Sequence, residues 1–536
     1  MKKNIYLSLI VITFYSVLSF GQNIPLKIQK SNIFKDEFKE SHIVLSEQDG
    51  TGGVFIVRSY DGRGISPNIG YYFEHYNSNL QLIKEFQLET NTPVYQKNKT
   101  ILGFYFSENK TYLADILFDL KEKAFVCSMT MVDFNDFQST KKELFRVTKE
   151  EIKSLGLFSL TPAYKNNAYD KFLNEDNSSG IKMSVNKDKT AFSILMDINS
   201  EDSETFKLFL FDNKLNLKFE KKLKKDIKES NFEFQNLEVS NDGNGIYLLG
   251  KVYADDKRKK DAGGKYDFEL TKITKDLEKT NVINIDKHFV KSLKIVVQDE
   301  KLISIGFYSD EKDNRYKGIY YFELNPDNLE LKNKKINPFT DQFIIDKYGK
   351  LSRKELKDLI FKGIHILENK DIVFNAEESY IINNGYGSGG IGGVGGIGGG
   401  QTFYNFNDIV SIKLDNNGNL IWARNINKSQ AEPLENISFI SHTSTFVNNN
   451  VFFFINADEK VKKLDDNRVE FRDTGKNKYN LNLIRITENG ISDFQKILSD
   501  VENEVPFMVA NGIKSGNSVF FLGKKGSKKQ LLKVNF

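Results

Sequence analysis

One pattern recurs along the chain: an alternating apolar strand, a short polar turn and a second alternating strand. Its clearest copy, 409–422, has the sequence Ile-Val-Ser-Ile-Lys-Leu-Asp-Asn-Asn-Gly-Asn-Leu-Ile-Trp. Alternation with period two is typical of half-buried β-strands, and Asp, Asn and Gly tolerate the positive φ angles of tight hairpins. Further copies lie at 208–217, 270–277, 320–329 and 483–491. The chain is therefore predicted to be all-β and built from repeated hairpins.

A second type of hairpin precedes each copy and ends in a hydrophobic strand, as at 241–250, 300–306 and 448–454. Each unit thus contains four antiparallel strands, A to D, with short A–B and C–D turns and a B–C connection of variable length. Units of this kind that recur every roughly 50 to 90 residues favour a single β-propeller, whose blades pack radially and leave few open sheet edges.

Eight blades are predicted from the C strands, which start near Gly70, Phe125, Thr205, Tyr266, Gly318, Asn407, Tyr479 and Lys528. The last unit, 507–536, has only three strands, while residues 23–30 form a spare strand with alternating apolar residues. Pairing of the N- and C-terminal strands would complete the last blade and close the ring, which removes a free sheet edge. Seven blades is the main alternative, because the unit at 101–147 is poorly marked. A stack of β-sandwich domains is another, although no Pro- or Ser-rich linker separates the units.

Two short helices are predicted as insertions between strand groups. The first covers 148–157 and starts with a capping box formed by Thr148 and Glu151. The second covers 351–361 and is expected to be capped by Ser352.

Residues 1–21 are predicted to be a secretory signal peptide. Lys2 and Lys3 precede an apolar run at 5–20, and Ser19-Phe20-Gly21 places small residues where signal peptidase requires them. Cleavage after Gly21 would leave 22–536 as the propeller domain. A retained membrane anchor is the alternative, but the run is short for a spanning helix of ~20 residues. No later segment is expected to cross a membrane.

Composition limits the possible functions. The chain has 76 Lys and Arg against 72 Asp and Glu, so it lacks the cationic excess of a nucleic-acid-binding protein. Cys127 is the only cysteine, which excludes an internal disulfide, and it is expected to be a small buried apolar residue. His42, His365 and His442 lie near the starts of A strands but in different registers. No metal site and no cofactor are predicted.

The stretch 407–422 resembles the repeat of exported bacterial β-propeller proteins, in which Lys-Leu-Asp precedes a Gly turn and a Leu-x-Trp strand. The resemblance implies only the fold, because that group has no single shared activity. Quinone-dependent dehydrogenases have a similar repeat, but they carry the Trp in most blades. This chain has one Trp, so no quinone is expected.

The B–C connections are the candidate binding region. In a propeller they emerge with the D–A connections on one face around the central channel, and function concentrates in loops that a rigid scaffold holds. The long ones are expected at 58–69, 254–265, 309–317, 383–406 and 457–478. Four tyrosines near the ends of B strands are candidate ligand contacts on this face, namely Tyr60, Tyr253, Tyr308 and Tyr386.

A glycine-rich run at 385–400 lies within one of these connections and has 11 Gly in 16 residues. It is not a phosphate-binding loop, since neither Lys-Ser/Thr nor a helix follows. It is either a flexible low-complexity loop or a loop that orders on a partner. In the second case Ile391, Val394 and Ile397 would be its apolar contacts.

These features predict an exported binding or scaffold protein of a Gram-negative envelope, with an envelope protein as its partner. The alternative is a propeller hydrolase or lyase that acts on glycans, which should show an acidic pair and aromatic platforms at the channel mouth. A purely structural envelope protein is a third hypothesis. No sequence motif identifies a catalytic residue.

Overall fold

The computed structural model describes residues 24–38, 40–61, 69–90, 95–148, 151, 180–198, 203–254, 266–286, 288–298, 300–310, 315–352, 356, 358–384, 401–464, 468–473 and 479–536. Its strands form eight sheets, each of which contains a four-stranded antiparallel blade. The protein is an eight-bladed β-propeller, as predicted. The seven-bladed alternative is wrong, because the poorly marked unit near 101–147 forms a complete blade.

The strands of blades 1 to 4 follow one another from the inner to the outer edge. They are β3 Glu40–Gln48, β4 Val54–Asp61, β5 Ile69–Tyr76 and β6 Leu82–Glu89 in blade 1; β7 Gln96–Ser107, β8 Lys110–Asp119, β9 Ala124–Asp133 and β10 Ser139–Thr148 in blade 2; β11 Ile181–Val185, β12 Ala191–Asp197, β13 Thr205–Asp212 and β14 Leu217–Lys224 in blade 3; β15 Phe232–Val239, β16 Gly245–Tyr253, β17 Tyr266–Thr274 and β18 Glu278–Ile283 in blade 4.

Blades 5 to 8 contain three additions to the four-stranded plan: a divided A strand in blade 5, an extra hairpin on blade 6 and a short second N-terminal strand on blade 8. Their strands are β19 Phe289–Val290, β20 Lys294–Gln298, β21 Lys301–Ser309, β22 Gly318–Leu324 and β23 Leu331–Pro338 in blade 5; β24 Leu359–Ile366, β25 Ile372–Asn384, β26 Gln401–Leu414 and β27 Leu420–Glu432 in blade 6, extended by β30 Lys462–Lys463 and β31 Val469–Arg472; β28 Thr443–Val447, β29 Asn450–Ala457, β32 Asn480–Ile486 and β33 Ser492–Leu498 in blade 7; β34 Ile513–Ser515, β35 Ser518–Lys525, β36 Lys528–Asn535, β1 Lys27–Lys30 and β2 Phe34–Lys35 in blade 8.

The ring closes between the two ends of the chain, as predicted. Strand β1 pairs antiparallel with β36, from Lys27 opposite Asn535 to Lys30 opposite Leu532. It therefore supplies the outer strand that the C-terminal unit lacks. Just before β1, the buried Ile24 packs among apolar residues of blades 7 and 8, and its backbone N–H donates to Gln495 Oε1 at 2.9 Å.

The hydrophobic core lies in the gaps between blades. Eight clusters of buried side chains each join two adjacent blades, and together they fill all eight gaps around the ring. The second strand of a blade is covered on both faces, so its residues are nearly all buried, as in β12. The outer strands, such as β6, keep polar residues in solvent. The burial of apolar surface between sheets is what holds the blades in the ring.

The turn of the clearest repeat shows why its residues recur. Asp415 Oδ1 accepts hydrogen bonds from the backbone N–H groups of Asn417 and Asn419, both at 2.8 Å. Gly418 follows with φ 77°, and its Cα lies against the ring of Tyr321 in blade 5. Only glycine has no Cβ to collide there. Gly490 repeats this contact in the next blade, against Trp422.

The second helix lies earlier than the sequence indicated. Helix α1 is Asp341–Tyr348; Thr340 caps it by accepting the N–H of Phe343, and Gly349 ends it with φ 75°. The prediction of a helix at 351–361 capped by Ser352 is wrong, because Leu359–Ile366 is the A strand of blade 6. The apolar residues of 359–366 pair with β25 as a strand. The helix ends earlier, at Gly349, whose backbone is left-handed.

Several sequence predictions fall outside the described residues: the signal peptide at 1–21, the body of the first helix and the glycine-rich run at 385–400. Of the first helix, the capping box is seen, with Thr148 N–H donating to Glu151 Oε2 at 2.9 Å. Cys127 is buried, as predicted. In the described part of the chain, no helix has both the length and the apolar character that crossing a membrane requires.

The Gly418 contact predicts a specific cost for a methyl group. Gly418→Ala should lower the free energy of unfolding by roughly 1–2 kcal/mol through its positive φ, and by a further roughly 1–3 kcal/mol through the clash with Tyr321. Gly526→Ala is the matched control, because Gly526 has φ 62° and nothing near its missing Cβ. Denaturant titration of both variants measures the difference. Equal losses would contradict the packing role of Tyr321.

Ring closure gives a second prediction. Ile24→Ala should cost about 2–4 kcal/mol of unfolding free energy, as expected for a truncation in a packed core. Ile33→Ala in the same N-terminal segment should cost little, because Ile33 is exposed. Thermal melts of the two variants compare them. If Ile24→Ala melts like the control, the N-terminal strand does not stabilise the ring.

Candidate functional site

Blade 6 extends beyond the face on which the B–C connections emerge. Strands β25 and β26 remain paired as far as Asn384 opposite Gln401, whereas the A strand β24 pairs with β25 only as far as Glu378. Residues 379–384 and 401–406 therefore form a projecting hairpin, which we call the blade 6 arm. The arm ends where the glycine-rich run begins.

The arm presents an open strand edge with apolar side chains. Among the described residues, no strand pairs with 380–384 on the side away from β26. Tyr380, Ile381 and Ile382 are 36%, 38% and 43% exposed. Alternate residues of a strand point to opposite faces, so apolar groups lie on both faces of the arm. Exposed apolar edges of this kind are usually protected in stable monomers, so the edge of the arm is a candidate binding surface.

The opposite edge of blade 6 is covered by the chain itself. Strand β31, from the B–C connection of blade 7, pairs in parallel with β27 from Asn427 opposite Glu470 to Ser429 opposite Arg472. The buried Phe471 packs into the gap between blades 6 and 7. Blade 6 thus becomes a six-stranded sheet in which one edge has gained the two strands of the extra hairpin and the edge of the arm has gained none.

Charged residues hold the base of the arm on one face. Lys347 Nζ of helix α1 lies 2.8 Å from Glu378 Oε1 and 2.7 Å from Asp408 Oδ2. Although burial acts against the ammonium, these two carboxylates raise the pKa of Lys347. Arg468 Nη1 donates to the carbonyl oxygen of Lys347 at 2.8 Å and so joins the extra hairpin to the end of the helix.

An ionic cluster centred on the buried Glu377 holds the other face. Glu377 lies 2.8 Å from Lys428 Nζ and 3.0 Å from Lys362 Nζ, and it accepts a hydrogen bond from Ser441 Oγ at 2.6 Å. Burial opposes ionisation, but Lys362 and Lys428 hold the pKa of Glu377 well below its usual range. Burial also lowers the pKa of the adjacent His442. With its central carboxylate and Lys428 buried, the cluster is suited to fixing strands rather than to contacting a substrate.

A cavity of about 640 Å³ lies between blades 8 and 1. We call it the seam cavity; residues 31–37 form one wall, and strands β4, β5 and β6 form the other. Arg58 lies buried at its base, 2.7 Å from Asp36 Oδ2 and 2.5 Å from Glu74 Oε1. The rings of Phe34 and Tyr72 lie 5.0 and 4.9 Å from its guanidinium carbon. These contacts pin the N-terminal segment to blade 1.

The predicted tyrosines lie in three different blades. Tyr60 is buried, stacks on Phe38 with ring centroids 4.5 Å apart, and accepts a hydrogen bond from Gln87. Tyr308 is buried in the gap between blades 4 and 5. Tyr253 is half-buried, and its hydroxyl donates to Glu233 at 3.0 Å. Tyr386, Ile391, Val394 and Ile397 lie outside the described residues, and a binding role for all seven stays a prediction.

The three histidines near A strands also lie in separate blades: His42 in β3, His365 in β24 and His442 just before β28. In the described part of the chain, no group of three or more His, Cys, Asp or Glu side chains could hold a metal ion.

Sequence reasoning missed the arm and the seam cavity. A signal for the arm was present, since Tyr380, Ile381 and Ile382 precede the glycine-rich run and Phe403 and Tyr404 follow it closely. Apolar residues directly before and after a loop indicate that the two flanking strands stay paired up to that loop. The seam cavity left no such signal, because its two walls come from separate segments, 31–37 and 58–87, and no local pattern shows that they meet.

No family model matches the chain, and no curated protein sequence matches it. Similar solved structures include Galerina marginata prolyl oligopeptidase B (9% identity, 90% of this chain and 55% of that chain, TM-score 0.37) and Pyrococcus horikoshii acylaminoacyl peptidase (9%, 81% and 51%, 0.34). Drosophila Plexin A in complex with Semaphorin 1b is another (8%, 95% and 87%, 0.31). The chain spans about half the length of the two peptidases. Similarity at this level indicates nothing about activity or partners.

The buried His442 predicts a pH dependence. Its pKa lies below the ordinary 6.5, so the unfolded state takes up a proton that the folded state resists, and stability falls as the pH drops below about 6.5. His442→Gln removes this pH dependence. The difference in the free energy of unfolding between wild type and variant should therefore be smaller at about pH 5 than at about pH 7. Urea titrations at both pH values measure the gap. A constant gap would contradict a neutral buried His442.

Proposed function

We propose that the mature chain is an exported binding or scaffold protein of a Gram-negative envelope, and that a partner protein docks on the face that carries the B–C connections. The signal-like pattern at 1–21 supports export. One observation carries the docking proposal: the blade 6 arm has an open strand edge with exposed apolar side chains.

The partner contributes an extended segment that adds to the arm as a further strand. Its backbone bonds to residues 380–384, and its alternate side chains pack on Tyr380, Ile381 and Ile382. The pairing of β31 with β27 supports this mode, because the same blade already takes an added strand on its other edge. Ile391, Val394 and Ile397 follow the arm in the chain and are proposed as additional contacts.

The test is cross-linked affinity purification from the native cell envelope. Three forms are compared: wild type, the double variant Ile381→Lys and Ile382→Lys, and the control Ile491→Lys. Ile491 is also an exposed isoleucine, but it follows the short C–D turn of blade 7, on the opposite face. We expect one stoichiometric partner with wild type and the control, and loss of that partner with the double variant. The recovered protein should begin at Gln22.

Equal capture by the double variant would overturn the role of the arm. Capture that survives the double variant but is lost when 385–400 is replaced by a short turn would move the contact to the glycine-rich run. Absence of a partner with every form would favour the alternative, a glycan hydrolase or lyase. A recovered chain that retains residues 1–21 would overturn signal cleavage.

A further inference from the structure

The seam cavity has an excess of negative charge. Its lining residues include four carboxyl groups and two cations, namely Asp36, Glu37, Glu74 and Glu85 against Lys35 and Arg58. Arg58 is already paired with Asp36 and Glu74. Even with the neighbouring Lys529, which lies opposite Phe34 in β36, the carboxyl groups outnumber the cations. This cavity is thus acidic in a chain whose overall charge is +4.

The hydroxyl group of a largely buried tyrosine opens on the same cavity. Tyr72 is only 6% exposed and lines the cavity. Its ring is held by Arg58 and by Tyr60, whose ring centroid lies 4.7 Å away. Its hydroxyl has no hydrogen-bond partner among the described residues and is accessible to solvent, so it faces the open space of the cavity. It can accept a hydrogen bond from a ligand.

From these observations we propose that the seam cavity binds an alkylammonium group, either a free amine or a lysine side chain. The ammonium donates to the Glu85 carboxylate and to the Tyr72 hydroxyl oxygen. The aliphatic stem lies along Phe34 and Leu82 on the cavity wall. An ammonium on a flexible stem suits this site, because it is a compact charge with three donors.

The surroundings of Glu85 oppose its ionisation. Glu85 lies on the exposed outer strand β6, yet partial desolvation, the nearby Glu74 carboxylate and a hydrogen bond with Glu74 raise its pKa, against the opposing effect of Arg58. A bound ammonium would offset that repulsion. The site is separate from the blade 6 arm, so it does not depend on the proposed protein partner.

Isothermal titration calorimetry on the full mature chain tests the site with three probes. Cadaverine represents a free amine, N-α-acetyl-lysine amide represents a lysine side chain, and the N-ε-acetylated form of the latter is the neutral control. The variants are Glu85→Gln and Tyr72→Phe, which keep shape and ring packing. Glu278→Gln is the matched control, because it removes an exposed carboxylate from the outer strand of blade 4. Thermal melts verify that each variant folds.

We expect at least one amine to bind and the neutral control not to bind. Glu85→Gln should weaken binding about tenfold and Tyr72→Phe severalfold, whereas Glu278→Gln should have no effect. Binding of cadaverine alone identifies a small-amine site, and binding of the lysine amide alone identifies a peptide site. Binding of the neutral control with equal affinity, no binding of either amine, or equal affinity for wild type and Glu85→Gln would each overturn the proposal. Variants of Ile381 and Ile382 should bind amines like wild type, so this result is independent of the arm.

Discussion

The pairing of β1 with β36 is the contact on which the rest of the molecule depends. The C-terminal unit provides only three strands. Without β1, the backbone N–H and C=O groups along the outer edge of β36 would be unpaired, and the ring would lack its closing contact. The strand comes from the other end of the chain, which makes closure a long-range event with a large loop-closure cost. Apolar packing of Ile24 and the neighbouring residues in the gap between blades 7 and 8 offsets that cost.

Closure also builds the seam cavity. After β1 the chain continues through residues 31–37 along blade 1, and Asp36 reaches Arg58 there. A buried arginine with one carboxylate removed would keep an uncompensated charge, so Arg58, Asp36 and Glu74 must assemble together. The N-terminal segment 24–37 therefore closes the ring through β1, neutralises a buried cation through Asp36 and forms one wall of a cavity. This one segment links fold stability to a candidate ligand site.

In the other blades, apolar side chains fill the gaps between neighbouring sheets. The 44 Phe and 23 Tyr supply large rings for these gaps, and glycine turns let one blade approach the rings of the previous one. Blade 6 differs because charges hold the base of its arm: Lys347 on one face and Glu377 with its lysines on the other. Buried ion pairs add little net stability, but they fix geometry, and a projecting hairpin needs a fixed base.

The sequence by itself determined the fold class, the order of strands and the ring closure. These depend on local signals: alternation, Asp-x-x-Gly turns as at Asp415–Gly418, and a spare apolar strand at Ile24, Leu26 and Ile28. Local signals misplaced the second helix, because 351–361 contains residues whose apolar positions suit a helix as well as a strand. The pairing of Leu359–Ile366 with β25 decided in favour of the strand.

Only the tertiary structure decided which residues come together at the candidate sites. The open edge at 380–384 exists because β24 ends before β25 does, and the seam cavity exists because residues 31–37 meet strands of blade 1. Conversely, Tyr60 and Tyr308 lie near ends of B strands as expected, yet packing buries both rings. Strand alternation identifies which residues share a face, but exposure is set by what the neighbouring blade places against that face, and the local sequence does not contain that information.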